Sequence, residues 1–104
     1  MILLNTTFVI RRDLEDEFLK WIRAEYIPSL QAHEALTDPS LARVLTEIDP
    51  SALSFALGVT APTLDEAMAW HDGPAAALRE EASRRWGENL LTFTTPLERL
   101  SHTL

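Results

Sequence analysis

Cysteine is missing altogether from this 104-residue chain, which excludes disulfides, thiolate nucleophiles, zinc ribbons and iron–sulfur ligation at once. Glycine is nearly as scarce, with three residues in all, too few for the glycine-rich loops that cradle phosphates, and no Gly-x-Ser-x-Gly elbow occurs. The longest apolar runs are about four residues, against the ~18 needed to span a bilayer. No basic segment stands ahead of the opening Met-Ile-Leu-Leu, so no secretory signal is read. Positive charge is also short: nine Lys and Arg face sixteen Asp and Glu, a net charge of −7. A surface of that sign repels phosphate backbones and anionic headgroups, so neither nucleic acid nor membrane is an expected partner. The missing cysteines fit a reducing compartment, and the expected location is the cytoplasm.

What remains is an ordinary globular composition, 46% hydrophobic and 24% charged, at a length that predicts one domain over residues 1–104. Ile2 to Arg11 alternates as a strand, with Leu4, Thr6, Phe8 and Ile10 on the face expected to meet helices and Leu3, Asn5, Thr7 and Val9 on the other. At Asp13, a candidate N-cap followed by Glu15, Asp16 and Glu17, the period changes to helical. Leu14, Phe18, Trp21 and Ile22 then share one face. Pro28 predicts a kink or a fresh turn, since it lacks the N–H that a helix interior needs. A second strand is expected over Leu41 to Ile48, a turn at Asp49-Pro50-Ser51, and a third strand over Ala52 to Thr60.

The clearest local signature follows. Thr63 and Glu66 form a capping box ahead of the stripe Leu64, Ala67, Met68, His71. Asp72-Gly73-Pro74 interrupts, and a second helical piece with Ala75, Leu78, Ala82 and Trp86 inward is predicted to stop at Gly87. Asn89 to Leu97 closes the series as a strand, with Leu91, Phe93, Thr95 and Leu97 together on one side.

The order β-α-β-β-α-β predicts an α+β, ferredoxin-like fold: a four-stranded antiparallel sheet with both helical segments on one face. The bare face should carry Asn5, Thr7 and Val9, then Ala52, Ser54 and Ala56, with Thr92 and Thr94 from the last strand. Strand two offers either Ala42, Val44 and Thr46 or Leu41, Arg43 and Leu45. A face too apolar for water and too polar for a dry core predicts a homodimer through the open sheet face.

The strand Ile2–Ile10, Phe18-x-x-Trp21…Ile27-Pro28 and Trp86-Gly87-Glu88 resemble a family of short bacterial proteins of unknown function in the dimeric α+β-barrel superfamily. The likeness runs over nearly the whole chain. Tyr26 stands where many family members carry histidine. The family has no established catalytic residues, so the resemblance implies a fold and an assembly but no active site. The superfamily includes antibiotic-biosynthesis and haem-degrading monooxygenases, some of which use an asparagine, a tryptophan and a histidine. Asn5, Trp70 and His71 match in type but not in spacing, because adjacent helical residues point about 100° apart.

Candidate chemistry is sparse. His71 reads first as a hydrogen-bonded helix-end histidine, with ligand contact as the alternative. His33 could favourably meet a helix C-terminus, and His102 sits in the tail. The pairs His33-Glu34 and His71-Asp72 are adjacent and so do not share a helical face, which argues against a metal. No cofactor is expected. Glu80-Glu81, with Arg79, Arg84 and Arg85, reads as a solvated helix face. A pocket between helices and sheet lined by Trp21, Tyr26 and Met68 is the best candidate for a small ligand, with His71 beside it. Arg43 would supply an anion contact if it points inward. The predicted function is an uncharacterised homodimer that binds a small apolar or acidic metabolite. The alternatives are a monooxygenase and a structural or regulatory interaction module.

Overall fold

The computed structural model describes residues 1–46 and 49–100. The predicted end of the second strand at Glu47 and Ile48, and the tail histidine His102, lie outside the described residues. β1 (Ile2–Arg11) is the strand the alternation predicts, and Leu4, Thr6, Phe8 and Ile10 on its covered side are all buried.

The helical stretch that follows is less regular than its apolar period suggests. A 3-10 turn (Arg12–Leu14) leads into α1 (Glu15–Trp21), then five residues of π-helix (Ile22–Tyr26), then α2 (Ile27–Gln31). Asp13 is not the N-cap of this helix. The 3-10 turn moves the helix start downstream, and the Asp13 carboxylate is held by Arg11 through bonds of 2.6 and 2.7 Å. That bidentate, charge-assisted pair keeps the carboxyl below its usual range. Glu15, Asp16 and Glu17 do occupy the first turn of α1. Pro28 is accommodated by the π turn, where the Ile27 N–H reaches back five residues to the Ile22 carbonyl. The proline then falls in the first turn of α2, where its missing N–H costs nothing.

β2 runs over Thr37–Arg43, starting four residues before the predicted Leu41. The strand takes in Pro39 because β2 is a sheet edge, where a proline needs no ladder partner. Its register shifts between Thr37 and Ser40, and Asp38 takes φ 52° at that irregularity. Asp49 then closes the turn, accepting from the Ser51 amide at 2.8 Å and hydroxyl at 2.7 Å. β3 (Ala52–Ala61), α3 (Leu64–Asp72), α4 (Pro74–Trp86) and β4 (Leu90–Glu98) follow. Thr63 caps α3 as predicted, its Oγ1 accepting from Glu66 N at 3.2 Å. Gly87 ends α4 at φ 50°, a backbone region that L side chains enter only with strain.

The strands form one antiparallel sheet in the order β2-β3-β1-β4, which is the ferredoxin-like arrangement. One face is helix-covered. On it Leu4, Phe8 and Ile10 meet Phe55, Leu57 and Val59 of β3, and Phe18, Ile22 and Leu30 close over them. On the other face β1 contributes Leu3, Asn5, Thr7 and Val9, and β3 contributes Ser54, Ala56 and Gly58 as its register partners. Ala42 stands opposite Ala56, so the first of the two strand-two alternatives holds.

β4 lies the other way round from the sequence-based expectation. Thr94 pairs with Thr6 and Phe93 with Thr7, and directly opposed residues share a face. Thr92 and Thr94 are therefore on the helix side, while Leu91, Phe93, Thr95 and Leu97 lie on the open side. The hydroxyls of Thr6 and Thr94 stand 3.1 Å apart, which lets polar residues occupy the covered face of this edge strand. No helix among the described residues is long and apolar enough to cross a membrane.

Candidate functional site

Between sheet and helices the interior is built from aromatic rings packed mostly edge to face. Phe8 lies 5.3 Å from Phe18 and 5.4 Å from Tyr26, and Trp21 lies 5.4 Å from Trp86. Tyr26 stands between two indoles, 5.7 Å from Trp21 and 5.6 Å from Trp70. A plain α-helix would set residues five apart about 140° from each other. The π turn is what lets Trp21 and Tyr26 share the buried face. Both indole N–H groups, on Trp21 and Trp70, are buried without a hydrogen-bond partner.

The polar groups of this layer come from four elements. Thr6 comes from β1 and Tyr26 from the end of the π turn, with α3 and α4 supplying His71 and Arg79. Gly73, where an added Cβ would come within 2.9 Å of the Ala69 carbonyl, separates α3 from α4, and Arg79 reaches across this break to the end of α3. Arg79 Nη1 donates to the His71 carbonyl at 3.0 Å and lies 3.2 Å from His71 Nδ1. Burial pushes the Tyr26 hydroxyl up to about 12, against the smaller pulls of a Thr6 hydrogen bond and the Arg79 charge. Burial and the Arg79 charge together lower the His71 pKa, opposed by Asp72. At neutral pH this row therefore holds an un-ionised phenol, a guanidinium and a neutral imidazole.

The residues singled out from sequence fall into two places. Trp21 and Tyr26 do meet, whereas His71 is held by Arg79, whose charge is felt at Tyr26. Met68 is half-buried on α3, three residues before His71. Arg43 sits apart on the β2 edge, 5.1 Å over the Phe55 ring and ion-paired to Glu15 at 2.5 Å. His33 stands just past the C-cap of α2, as expected, and its ring approaches Glu66 at 3.7 Å. Arg79, expected on the solvated face with Glu80 and Glu81, is instead half-buried against His71; it sits four residues after Ala75 and three before Ala82. That phase puts it on the apolar stripe of α4 and not with Arg84 and Arg85, whose partners are Glu80 and Glu81. Thr6 was read only as part of the covered face.

Asn5 and Trp70 lie on opposite faces of the sheet, Asn5 donating to Thr7 Oγ1 at 3.4 Å on the open side. The residues present do not fit a porphyrin between sheet and helices: the rings there already touch one another, and His71 is engaged by Arg79.

The open face offers two shallow hollows. One, of about 440 Å³, is lined by Val9, Val44, Ala52, Ser54 and Phe93 among others. The other, of about 360 Å³, involves Leu3, Asn5, Gly58, Thr60 and Leu97.

With this geometry in view, a family model described as a domain of unknown function (DUF4286) matches residues 1–100. No curated protein matches. Among solved structures, the chain is similar to a putative antibiotic biosynthesis monooxygenase from Deinococcus radiodurans, with 12% identity over 100% of this chain and 97% of that one, TM-score 0.70. A second such putative monooxygenase, from Nitrosomonas europaea, shares 15% identity over 97% of this chain and 100% of its own, TM-score 0.69. HapK from Hahella chejuensis shares 12% identity over 100% and 97%, TM-score 0.71. At these identities the likeness is one of fold.

Proposed function

Because the chain belongs to the family described as a domain of unknown function (DUF4286), its activity has to be read from its own side chains, and we propose that it is a homodimeric small-molecule-binding protein whose sheets meet through their uncovered faces. The observation that carries this is the apolar ridge on that face: Leu91, Phe93 and Leu97 are 62%, 56% and 46% exposed. A contiguous exposed ridge of this kind is costly in water and marks a contact surface.

The shape of the face supports a second copy as the occupant. Its β4 half projects large side chains, while its β2–β3 half carries Ala42, Ser54, Ala56 and Gly58 and is low. A two-fold operation lays the ridge of one protomer over the low half of the other, the self-complementarity that an isologous interface requires. The sheet edges are poor alternatives, since Pro39 on β2 and Pro96 on β4 interrupt the strand faces that another chain would pair with.

The ligand of this reading is a small apolar or acidic metabolite held at the rim of the helix layer. Half-buried Met68 and His71 supply its apolar and polar contacts, and Trp21 and Tyr26, closed in the core, back that layer. Arg43, expected from the sequence to meet an anion, is already paired with Glu15 at the far edge. The chain acts as one unit in a bacterial cytoplasm, in keeping with its lack of cysteine.

Light scattering at micromolar concentration tests the assembly. A mass twice the 11.7 kDa chain is expected, and a mass near 11.7 kDa sinks it. A metabolite screen by thermal shift tests the binding, because a ligand of the native state alone must raise the melting temperature. If nothing raises it, an interaction module replaces the ligand-binding reading.

A monooxygenase is the second reading, favoured by the un-ionised Tyr26 phenol beside Arg79 at the core and by the names of two fold neighbours. Haem titration followed at the Soret band separates the two. No change is expected, and tight binding lost in His71→Ala would favour the oxygenase.

A further inference from the structure

Arg79 is the one lysine or arginine among the described residues that is half-buried; the others are exposed. In a chain with sixteen carboxylate side chains, it has no carboxylate within ion-pair distance among the described residues. Arg11, Arg43, Arg84 and Arg85 each have one. Its Nη1 is spoken for by His71, which fixes the guanidinium across the α3–α4 break. Nε and Nη2 have no partner among the described residues. A planar pair of N–H donors held in place and lacking an acceptor matches the two oxygens of a carboxylate.

Tyr26, whose hydroxyl feels the Arg79 charge, keeps its proton and so supplies no counter-charge. The acidic group felt on this side is Asp72, next to His71. Leaving a half-buried cation without a counter-charge is unfavourable, and an incoming anion relieves that cost.

We propose that Arg79 anchors a binding site for a small carboxylic acid at the junction of α3 and α4, its Nε and Nη2 donors taking the carboxylate side by side. The site rests on the ligand-binding reading above and names the chemistry of the ligand: a monoanionic carboxylate with a compact apolar body that can lie against the aromatic rim. Arg79 is then the contact for the acid group, a task that Arg43, already paired with Glu15, does not perform.

The test uses the full chain and two matched probes, benzoate and its neutral amide benzamide, followed by calorimetry and thermal shift. Benzoate is expected to bind and to raise the melting temperature, and benzamide to do neither. Arg79→Met should weaken benzoate by about tenfold or more, which is about 1.4 kcal/mol. Arg79→Lys keeps the charge but not the fork and should fall between. Arg85→Met, at an exposed arginine paired with Glu81, should leave binding unchanged. Should Arg79→Met fail to fold, Arg79→Lys carries the comparison alone. Equal binding of benzoate and benzamide, benzoate binding that is indifferent to both Arg79 variants, or no benzoate binding at all overturns the carboxylate site. If neutral metabolites then bind to a chain of dimer mass, only this inference has failed. If the mass is that of one chain and no metabolite stabilises it, the broader reading has failed with it.

Discussion

The two faces of this sheet are made by the same four strands and differ in almost every other respect. The covered face is closed by rings in mutual contact and by a short row of hydroxyls, with Phe8, Phe18 and Trp70 almost wholly removed from water. The open face carries side chains of similar size on β4 but leaves them wet, and small residues fill its other half. Burial accounts for the stability of one face, and the exposed apolar side chains of the other are what the proposed dimer would cover. A sheet that is hydrophobic on both sides has to find two coverings, and a chain this short encodes only one.

If that contrast is right, substitutions on the two faces should separate cleanly. Phe18→Ala should cost the most, about 3–5 kcal/mol in urea unfolding, because it opens a cavity among four rings. Next comes alkaline pH. The Tyr26 phenol titrates near 10 in the unfolded chain and at about 12 in the folded one. Above pH 10 the unfolded state therefore holds fewer protons, and stability falls as pH rises from 10 to 12, by about 2–3 kcal/mol in all. Tyr26→Phe should remove that slope, which a pH series of denaturant midpoints checks.

On the acid side the effect is smaller. The folded pKa of His71 lies below 6.5, so the unfolded chain takes up its proton first and stability declines as pH drops below about 6.5. His71→Gln should flatten that limb. The smallest effect on the protomer belongs to the open face: Phe93→Lys should change unfolding of the dissociated chain by no more than about 0.5 kcal/mol. The same change should abolish the dimer mass in light scattering. A large loss of protomer stability in that variant would erase the distinction drawn between the faces.

Much of this was legible in the sequence. β1, β3, the capping box at Thr63 and the stop at Gly87 were each marked by strong local chemistry, and the covered residues of β1 and β3 followed from alternation. The misreadings share a cause: local pattern was taken to say which side is inward, and that is a tertiary fact. On β4 the apolar set faces outward, because the covered positions are served by the Thr6–Thr94 hydroxyl pair. β2 begins early because an edge tolerates Pro39. Asp13 looked like a cap until Arg11, two residues upstream on a strand, claimed its carboxylate. Trp21, Tyr26 and His71 were singled out by residue type, whereas Arg79 was read with its charged neighbours although its helical phase was plain.

The π turn carries one further implication, for chain length. It amounts to an ordinary helix with a single residue let in, and Arg23, Ala24 and Glu25 within it are exposed. A relative shorter by one residue there would keep both aromatics pointing inward, since they would then stand four apart. It would, however, bring the proline ring against a carbonyl one helical turn earlier. Gaps at this point in the family should therefore travel with loss of the proline, a coupling between an insertion and a substitution that the surrounding packing enforces.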